Sequence, residues 1–408
     1  MSNLSDNRLE WHLIAPVFAV ISIDSMGMGV ILPLLPFYAE RFGATPFLIG
    51  LLFATFALCQ FVAGPLLGSL SDRIGRKPVL VGSQLGTCAS FVVLAVSSSL
   101  PMVFLARVLD GLTSGNLSVA AAYAVDRSTP KTRKQAIGVV SAGVGVGLIV
   151  GPALSALSAH VSPEAPIWIA ASLSAASLLA TIALLPAESP KAVTAQESNQ
   201  PRAMELLASK SIVAILGLLS CFYVAIGMMM GGLAVFLANR FTWQGHFLGA
   251  TEVGIIFVGT GIINILVQLV LMKHVGKHFT DKQLTVACFM LMAVGYAASG
   301  AVQALALLGL ALGAAALGSS LLRPTLTSAL SLCAPAGRQG VLLGFNQSLM
   351  AIANIVGPLI GGLMLDRGWY SGWVFALAAL LASTALAALT CFTLGWWPSN
   401  TSTVSQTH

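Results

Sequence analysis

The sequence predicts an all-α polytopic membrane protein with twelve transmembrane helices, and three observations carry that prediction. Apolar residues make up 57% of the 408 positions and charged residues only 8%, a composition outside that of soluble globular domains. Mean hydropathy is +0.89. Apolar runs of roughly 20 residues, enough for a helix to cross a hydrocarbon core about 30 Å thick, recur along the whole length.

Twelve such runs can be drawn, at about 11–37, 47–70, 79–98, 101–125, 135–159, 165–186, 211–238, 250–272, 283–301, 304–332, 340–364 and 370–396. The first, from Trp11 to Leu35, is too long for the apolar core of a leader peptide and lacks a small-residue cleavage site, so it reads as the first span. The cationic residues report orientation. With both termini inside, fifteen Lys and Arg collect on the cytoplasmic side, from Arg8 through Arg73, Arg76, Lys77 and Arg127 to Arg338, against Arg41, Arg240 and Arg367 outside. The formal charge of +6 does not suggest a nucleic-acid partner, because these cations are dispersed among short loops. The six cysteines have no C-x-x-C spacing and lie mostly inside apolar runs, so neither disulfides nor a metal site is implied.

One long polar stretch, 187–210, separates a six-span block at 1–186 from a second at 211–398, with a polar tail at 399–408. It reads as a cytoplasmic interdomain linker. The two blocks look alike, since an offset of 206 lays Gly138, Gly151 and Pro152 of the fifth span over Gly344, Gly357 and Pro358 of the eleventh. Two six-helix halves around a central cavity are the expected architecture.

Between the second and third spans the chain runs Gly68-Ser69-Leu70-Ser71-Asp72-Arg73-Ile74-Gly75-Arg76-Lys77. This resembles the G-x-L-x-D-R-x-G-R-K/R signature of the major facilitator superfamily at every fixed position. The resemblance implies the major facilitator fold and a conformational gate built on Gly68, Asp72, Arg73, Gly75 and Arg76, in which Asp72 pairs with Arg76 and reaches the other half in one state. The second-half counterpart, 273–278, keeps cations and a glycine but lacks the Asp-Arg pair, so the latch is expected to be asymmetric.

In the fifth span Gly138, Gly147, Gly151 and Pro152 resemble the G-x8-G-x3-G-P-x2-G-G motif of drug:proton antiporters, with Ser155-Ala156 in place of the final glycines. Small residues one turn apart let helices approach closely, and proline frees the helix to bend. The first span carries Asp24, Gly27, Gly29, Pro33, Leu35 and Pro36 in a run similar to that of tetracycline and multidrug exporters. Asp24 lies deep in this span, where a carboxylate costs about 3 kcal/mol even on lenient insertion scales, so it is rarely idle. The fourth span holds Arg107-Val108-Leu109-Asp110-Gly111, resembling the superfamily R-x-x-Q-G motif with Asp110 in place of Gln. Arg107 and Asp110 share a helix face. Either their pairing leaves Asp24 as the proton carrier, or Asp24 competes for the same guanidinium, so Asp24, Arg107 and Asp110 are taken together as the proton-coupling group.

Polar and soft side chains inside spans are expected to line the substrate cavity: Met28, Gln60 and Asn116 in the first block, and Tyr223, Met228, Asn264, Gln268, Asn346, Gln347, Met350 and Asn354 in the second. Arg323, before Pro324 in the tenth span, could meet a substrate anion or lie at the cytoplasmic surface. There is no Walker motif, so ATP is not the expected energy source.

The resemblance implies a secondary transporter, not an enzyme, that exports small amphipathic drug-like compounds in exchange for protons. It would act as a monomer in the bacterial inner membrane, with no cofactor beyond the coupling proton and the lipid bilayer as its other partner. A dedicated metabolite or siderophore exporter, a proton-coupled nutrient importer and a non-transporting membrane scaffold remain alternatives.

Overall fold

The computed structural model describes residues 11–129, 132–186, 209–333 and 339–397. The polar tail and nearly all of the linker, residues 187–208, lie outside the described residues. In chain order the helices are α1 (Trp11–Glu40), α2 (Pro46–Ile74), α3 (Arg76–Ala95), α4 (Leu100–Thr113), α5 (Asn116–Asp126), α6 (Arg133–Ser158) and α7 (Ala165–Leu184). They continue with α8 (Lys210–Arg240), α9 (Ala250–Leu266), α10 (Met272–His278), α11 (Asp281–Ala301), α12 (Leu305–Leu332), α13 (Gln339–Asp366) and α14 (Tyr370–Thr393). A π-helical turn, Val267–Leu271, joins α9 to α10, and a two-residue hairpin, Thr242–Trp243 with His246–Phe247, follows α8.

Among the described residues eleven helices are long and apolar enough to span a membrane. The twelfth segment is the fourth expected span, divided into α4 and α5. Its interruption has a local cause. The backbone leaves the helix at Ser114 (φ −79°, ψ 54°), whose amide and hydroxyl both turn back to the Gly111 carbonyl, at 3.3 and 3.1 Å. Gly115, in an ordinary helical conformation (φ −92°, ψ −4°), makes room for Leu67 of α2, whose Cδ1 would stand 2.7 Å from a Cβ there.

Helix limits follow equally local chemistry. At the start of α2 the Thr45 hydroxyl accepts from the Leu48 amide (3.4 Å), with Pro46 in the first turn. Its end is Gly75, at φ 99° and ψ 154°, a conformation essentially confined to glycine. A full capping box, Thr280 with Gln283, opens α11.

The described residues divide into two compact units. Unit 1 holds those of Met1–Gln196 with Met230–Ile262 and Pro358–Gly368. Its core packs α1 against α5, α6 and α3 through Ile14, Val17, Ile21, Leu80, Val119, Tyr123 and Val140, all buried. Unit 2 holds those of Glu197–Met229, Ile263–Gly357 and Trp369–His408. Within it α11 meets α12 at very short range, since a Cβ on Gly295 would stand 2.6 Å from the Ala311 carbonyl. Large apolar side chains such as Leu179 (65% exposed) and Leu310 (71% exposed) cover the outward helix faces. That surface suits hydrocarbon, not water.

Candidate functional site

The break between α4 and α5 positions the first functional group. Asn116 opens α5, and its Nδ2 donates to both carboxylate oxygens of Asp24 on α1, at 3.0 Å each. A small cavity beside the pair is lined by Ile21, Asp24, Ser25, Gln84, Asn116 and Ala120. Gln84, fully buried on α3, donates through Nε2 to the Ser177 hydroxyl (2.8 Å). Its Oε1 and the Asn116 Oδ1 are buried acceptors with no hydrogen-bond donor among the described residues. No cation among the described residues pairs with Asp24. The carboxylate is therefore held by a neutral amide alone, beside two spare acceptors.

One helical turn before the break, Arg107 Nη1 meets Asp110 Oδ2 at 3.2 Å, both side chains buried. The Arg107 guanidinium carbon lies 5.7 Å from the centroid of the Phe56 ring, a cation–π contact, while its Nε and Nη2 make no hydrogen bond among the described residues. Gly111 lets α4 close on α2, since a Cβ there would lie 2.6 Å from both the Phe56 carbonyl and Cys59 Cβ. Of the two arrangements left open by the sequence, the geometry is the one in which Arg107 is committed to Asp110.

The residues that follow Asp24 form the crossing with α6. A Cβ on Gly147 would stand 2.3 Å from Ser25 Cβ, and one on Gly151 would stand 2.6 Å from the Met26 carbonyl and from Gly29 Cα. Pro152 Cδ lies against the same point, 3.2 Å from where a Gly29 Cβ would sit. Two motifs that are separate in the sequence thus meet in one contact. Gly138 takes no part, having nothing within 4 Å of a Cβ position.

At the far end of α2, Arg76 binds three groups. Its Nη2 lies 2.6 Å from Asp72 Oδ1, its Nε 3.1 Å from Asp126 Oδ2 on α5, and its Nη1 donates to the Ser71 hydroxyl at 2.5 Å. Lys77 donates to the Ile182 and Leu185 carbonyls (2.7 and 2.5 Å), filling acceptors left open where α7 ends. Arg73 is exposed, and Gly68, like Gly138, has nothing within 4 Å of a Cβ position. The side chains of Lys273 and Lys277 in the second-half counterpart lie outside those described.

The residues expected in the cavity divide between the units. Unit 1 holds Met28, exposed, Gln60, half-buried, and Asn116. In unit 2 the buried Tyr223 hydroxyl donates to Asn346 Oδ1 at 3.1 Å, and Met350 lies one turn further along α13 against Arg323 of α12. Met228 is buried, where its backbone packs on Gly357. Gln268, in the π-helical turn, donates to Asn264 Oδ1 at 2.5 Å. Gln347 is exposed and Asn354 half-buried.

Gln84, Ser177 and Asp126 were not singled out in the sequence. A glutamine amid Ser83, Thr87 and Ser90 in an otherwise apolar span was the available signal for the first.

Eleven helices long and apolar enough to span, among the described residues, with a carboxylate, a buried ion pair and a glycine-tight helix crossing gathered in unit 1, mark a polytopic membrane protein. The chain belongs to the Major Facilitator Superfamily, whose family model matches residues 17–280. It is 30% identical over 396 residues to the class D tetracycline resistance protein of Salmonella ordonez, covering 90% of this chain and 97% of that one. To multidrug resistance protein 1 of Bacillus subtilis it is 27% identical over 367 residues, covering 89% and 92%. A crystal structure of a peptide transporter POT in complex with sulfate superposes with a TM-score of 0.76 at 14% identity, covering 93% of this chain and 94% of that one, which is a likeness of fold.

Proposed function

We propose that this chain exports small amphipathic compounds, of the drug or tetracycline type, in exchange for protons bound at Asp24. It works as two six-helix halves joined by the 187–210 linker, in a bacterial cytoplasmic membrane with both termini inside. The tetracycline and multidrug resistance proteins it resembles support the substrate type and direction.

The observation that carries the proton role is the neutral partner of Asp24. A carboxylate locked to a guanidinium must break an ion pair to take up a proton, whereas one held by an amide need not. As the anion, Asp24 accepts both bonds from Asn116 Nδ2. As the acid, it would present one O–H, and Asn116 Oδ1 and Gln84 Oε1 are acceptors beside the same cavity. Both protonation states therefore have partners at the site. The charge carried is worth about 2.3 kcal/mol per 100 mV of membrane potential, enough to bias two conformations of similar energy. Arg107 and Asp110 hold the segment before Asn116, and the Arg76 cluster supports a gate that changes between states.

The experiment is Asp24→Asn in an efflux-deficient host, with a substrate panel measured with and without an uncoupler. Proton-driven export is expected to disappear, while expression and substrate binding persist and binding no longer varies with pH. A variant that still concentrates substrate, and still responds to the uncoupler, refutes the assignment.

A further inference from the structure

We infer that Arg323 is an anion-recognition residue, so that the compounds this transporter takes include amphipathic organic anions bearing a carboxylate or an enolate. The inference rests on the reading of the chain as a small-molecule transporter and names a chemical class for its substrates.

Arg323 lies inside α12, nine residues before its last residue Leu332, within a segment apolar enough to span. The side chain is exposed, and the contact it makes is to Met350 Sδ, 3.8 Å from Nη2. A thioether is a weak acceptor and neutralises nothing. The contrast with other arginines is direct: Arg41 pairs with Glu164, Arg76 with Asp72 and Asp126, and Arg107 with Asp110. Among the described residues Arg323 has no carboxylate within ion-pair distance. Uncompensated cations in spanning segments are rare, face an aqueous or protein-lined space, and mark substrate and ion pathways.

The face of α12 that carries Arg323 is not built for lipid. Between Leu310 and Leu332 the helix exposes no large apolar residue, and Ser319, Thr327 and Ser328 lie around the arginine. Helices with lipid-suited faces differ, as α9 exposes Ile255, Ile262 and Leu266. Beside the guanidinium, Met350 supplies a deformable apolar surface, and one turn back on α13 Asn346 is fixed by the Tyr223 hydroxyl. A planar guanidinium next to a methionine suits a ligand whose two coplanar oxygens accept the arginine fork while its apolar body lies on the thioether.

The test uses the full-length chain in detergent and a matched pair of fluorescent probes, dansyl-glycine, a carboxylate, and dansyl-glycinamide, its neutral amide. Fluorescence titration is expected to show tighter binding of the carboxylate. Arg323→Gln should weaken that binding by about ten- to a hundred-fold, the range for a hydrogen bond to a charged group, and leave the amide unchanged. Arg323→Lys, which keeps the charge without the fork, should retain part of the preference, and it serves if the Gln variant does not fold. Equal wild-type affinity for the two probes overturns the inference, as does a preference unchanged in both variants, whatever the direction of transport. Conversely, a carboxylate preference lost with Arg323 supports it even if Asp24→Asn leaves proton-driven export intact and so refutes the coupling proposal.

Discussion

Adding one methyl group at Gly147 tests the crossing on which the Asp24 segment is held. A Cβ there would stand 2.3 Å from Ser25 Cβ, 2.5 Å from the Ser25 carbonyl carbon and 2.8 Å from the Met26 nitrogen. Non-bonded carbons settle at about 3.5–4.0 Å, so α1 and α6 must part by about 1 Å or repack. Overpacking of this kind costs about 1–3 kcal/mol, and the better helix propensity of alanine returns about 0.5–1 kcal/mol. Gly147→Ala should therefore be destabilised by up to roughly 2.5 kcal/mol, with a mid-range of about 1 kcal/mol. Gly138, in the same helix and motif, meets nothing within 4 Å, so Gly138→Ala should be neutral or slightly stabilised. Thermal unfolding of the two detergent-solubilised variants, read alongside transport, makes the comparison. Ser25→Gly should rescue Gly147→Ala only in part, because two of the three short contacts are to backbone. Equal unfolding temperatures for Gly138→Ala and Gly147→Ala would refute the close-approach argument.

Three further outcomes can be checked. Gly75→Ala places a side chain at φ 99° and ψ 154°, so it should lose about 1–3 kcal/mol of stability, while Gly68→Ala, at an unstrained and open position, should lose none; thermal unfolding decides. Asp110→Asn leaves the buried Arg107 without its counter-charge and should cost about 3–5 kcal/mol, whereas Asp24→Asn orphans no cation and should unfold near the wild-type temperature. On the opposite loops, the Arg41 guanidinium holds the Glu164 carboxyl below its ordinary value. A depressed carboxylate contributes stability that is present above its unfolded pKa and lost as pH falls through the folded one. Glu164→Gln should thus lower stability at neutral pH by no more than about 0.5 kcal/mol after solvent screening, and not at all in strong acid, as unfolding scans across pH would record.

The twelve spans were legible because roughly 20 consecutive apolar residues leave few alternatives to a spanning helix. The interruption at Ser114 and Gly115 was not, since Thr113, Ser114 and Gly115 are all tolerated inside spanning helices and only the non-helical backbone of Ser114, at ψ 54°, gives the break away. Asp72 and Arg76 could be paired from their i,i+4 spacing. Asp126, fifty positions on, could not, because nothing local to it announces that α5 ends beside the hairpin. Gly138 and Gly147 read alike in sequence. Only the path of α1, which passes one and misses the other, separates a helix contact from a permissive glycine. Gln84 is the instructive omission: an amide in a span must be satisfied somewhere, but its nearness to Asp24 depends on how α1, α3 and α5 pack.

Asp24 lies mid-way along α1 and Asp110 near the end of α4 beside the break, and their surroundings give them different chemistry. Asp110 shares its helix face with a guanidinium, and both charges are buried. Removing either partner strands the other, so the pair is fixed in composition and suits a scaffold. Asp24 has no such partner among the described residues, and the amide that holds it would remain in place when the charge goes. The Asp at position 110, where the motif it resembles has Gln, is consistent with this division. An acid there occupies the buried Arg107 locally, so its guanidinium is not left to claim another carboxylate. A neutral residue would leave that guanidinium seeking a carboxylate, and Asp24, on a helix packed against α5 in the same unit, pairs with no cation among the described residues. In the proposed coupling at Asp24, the second acid is what leaves the first available to a proton.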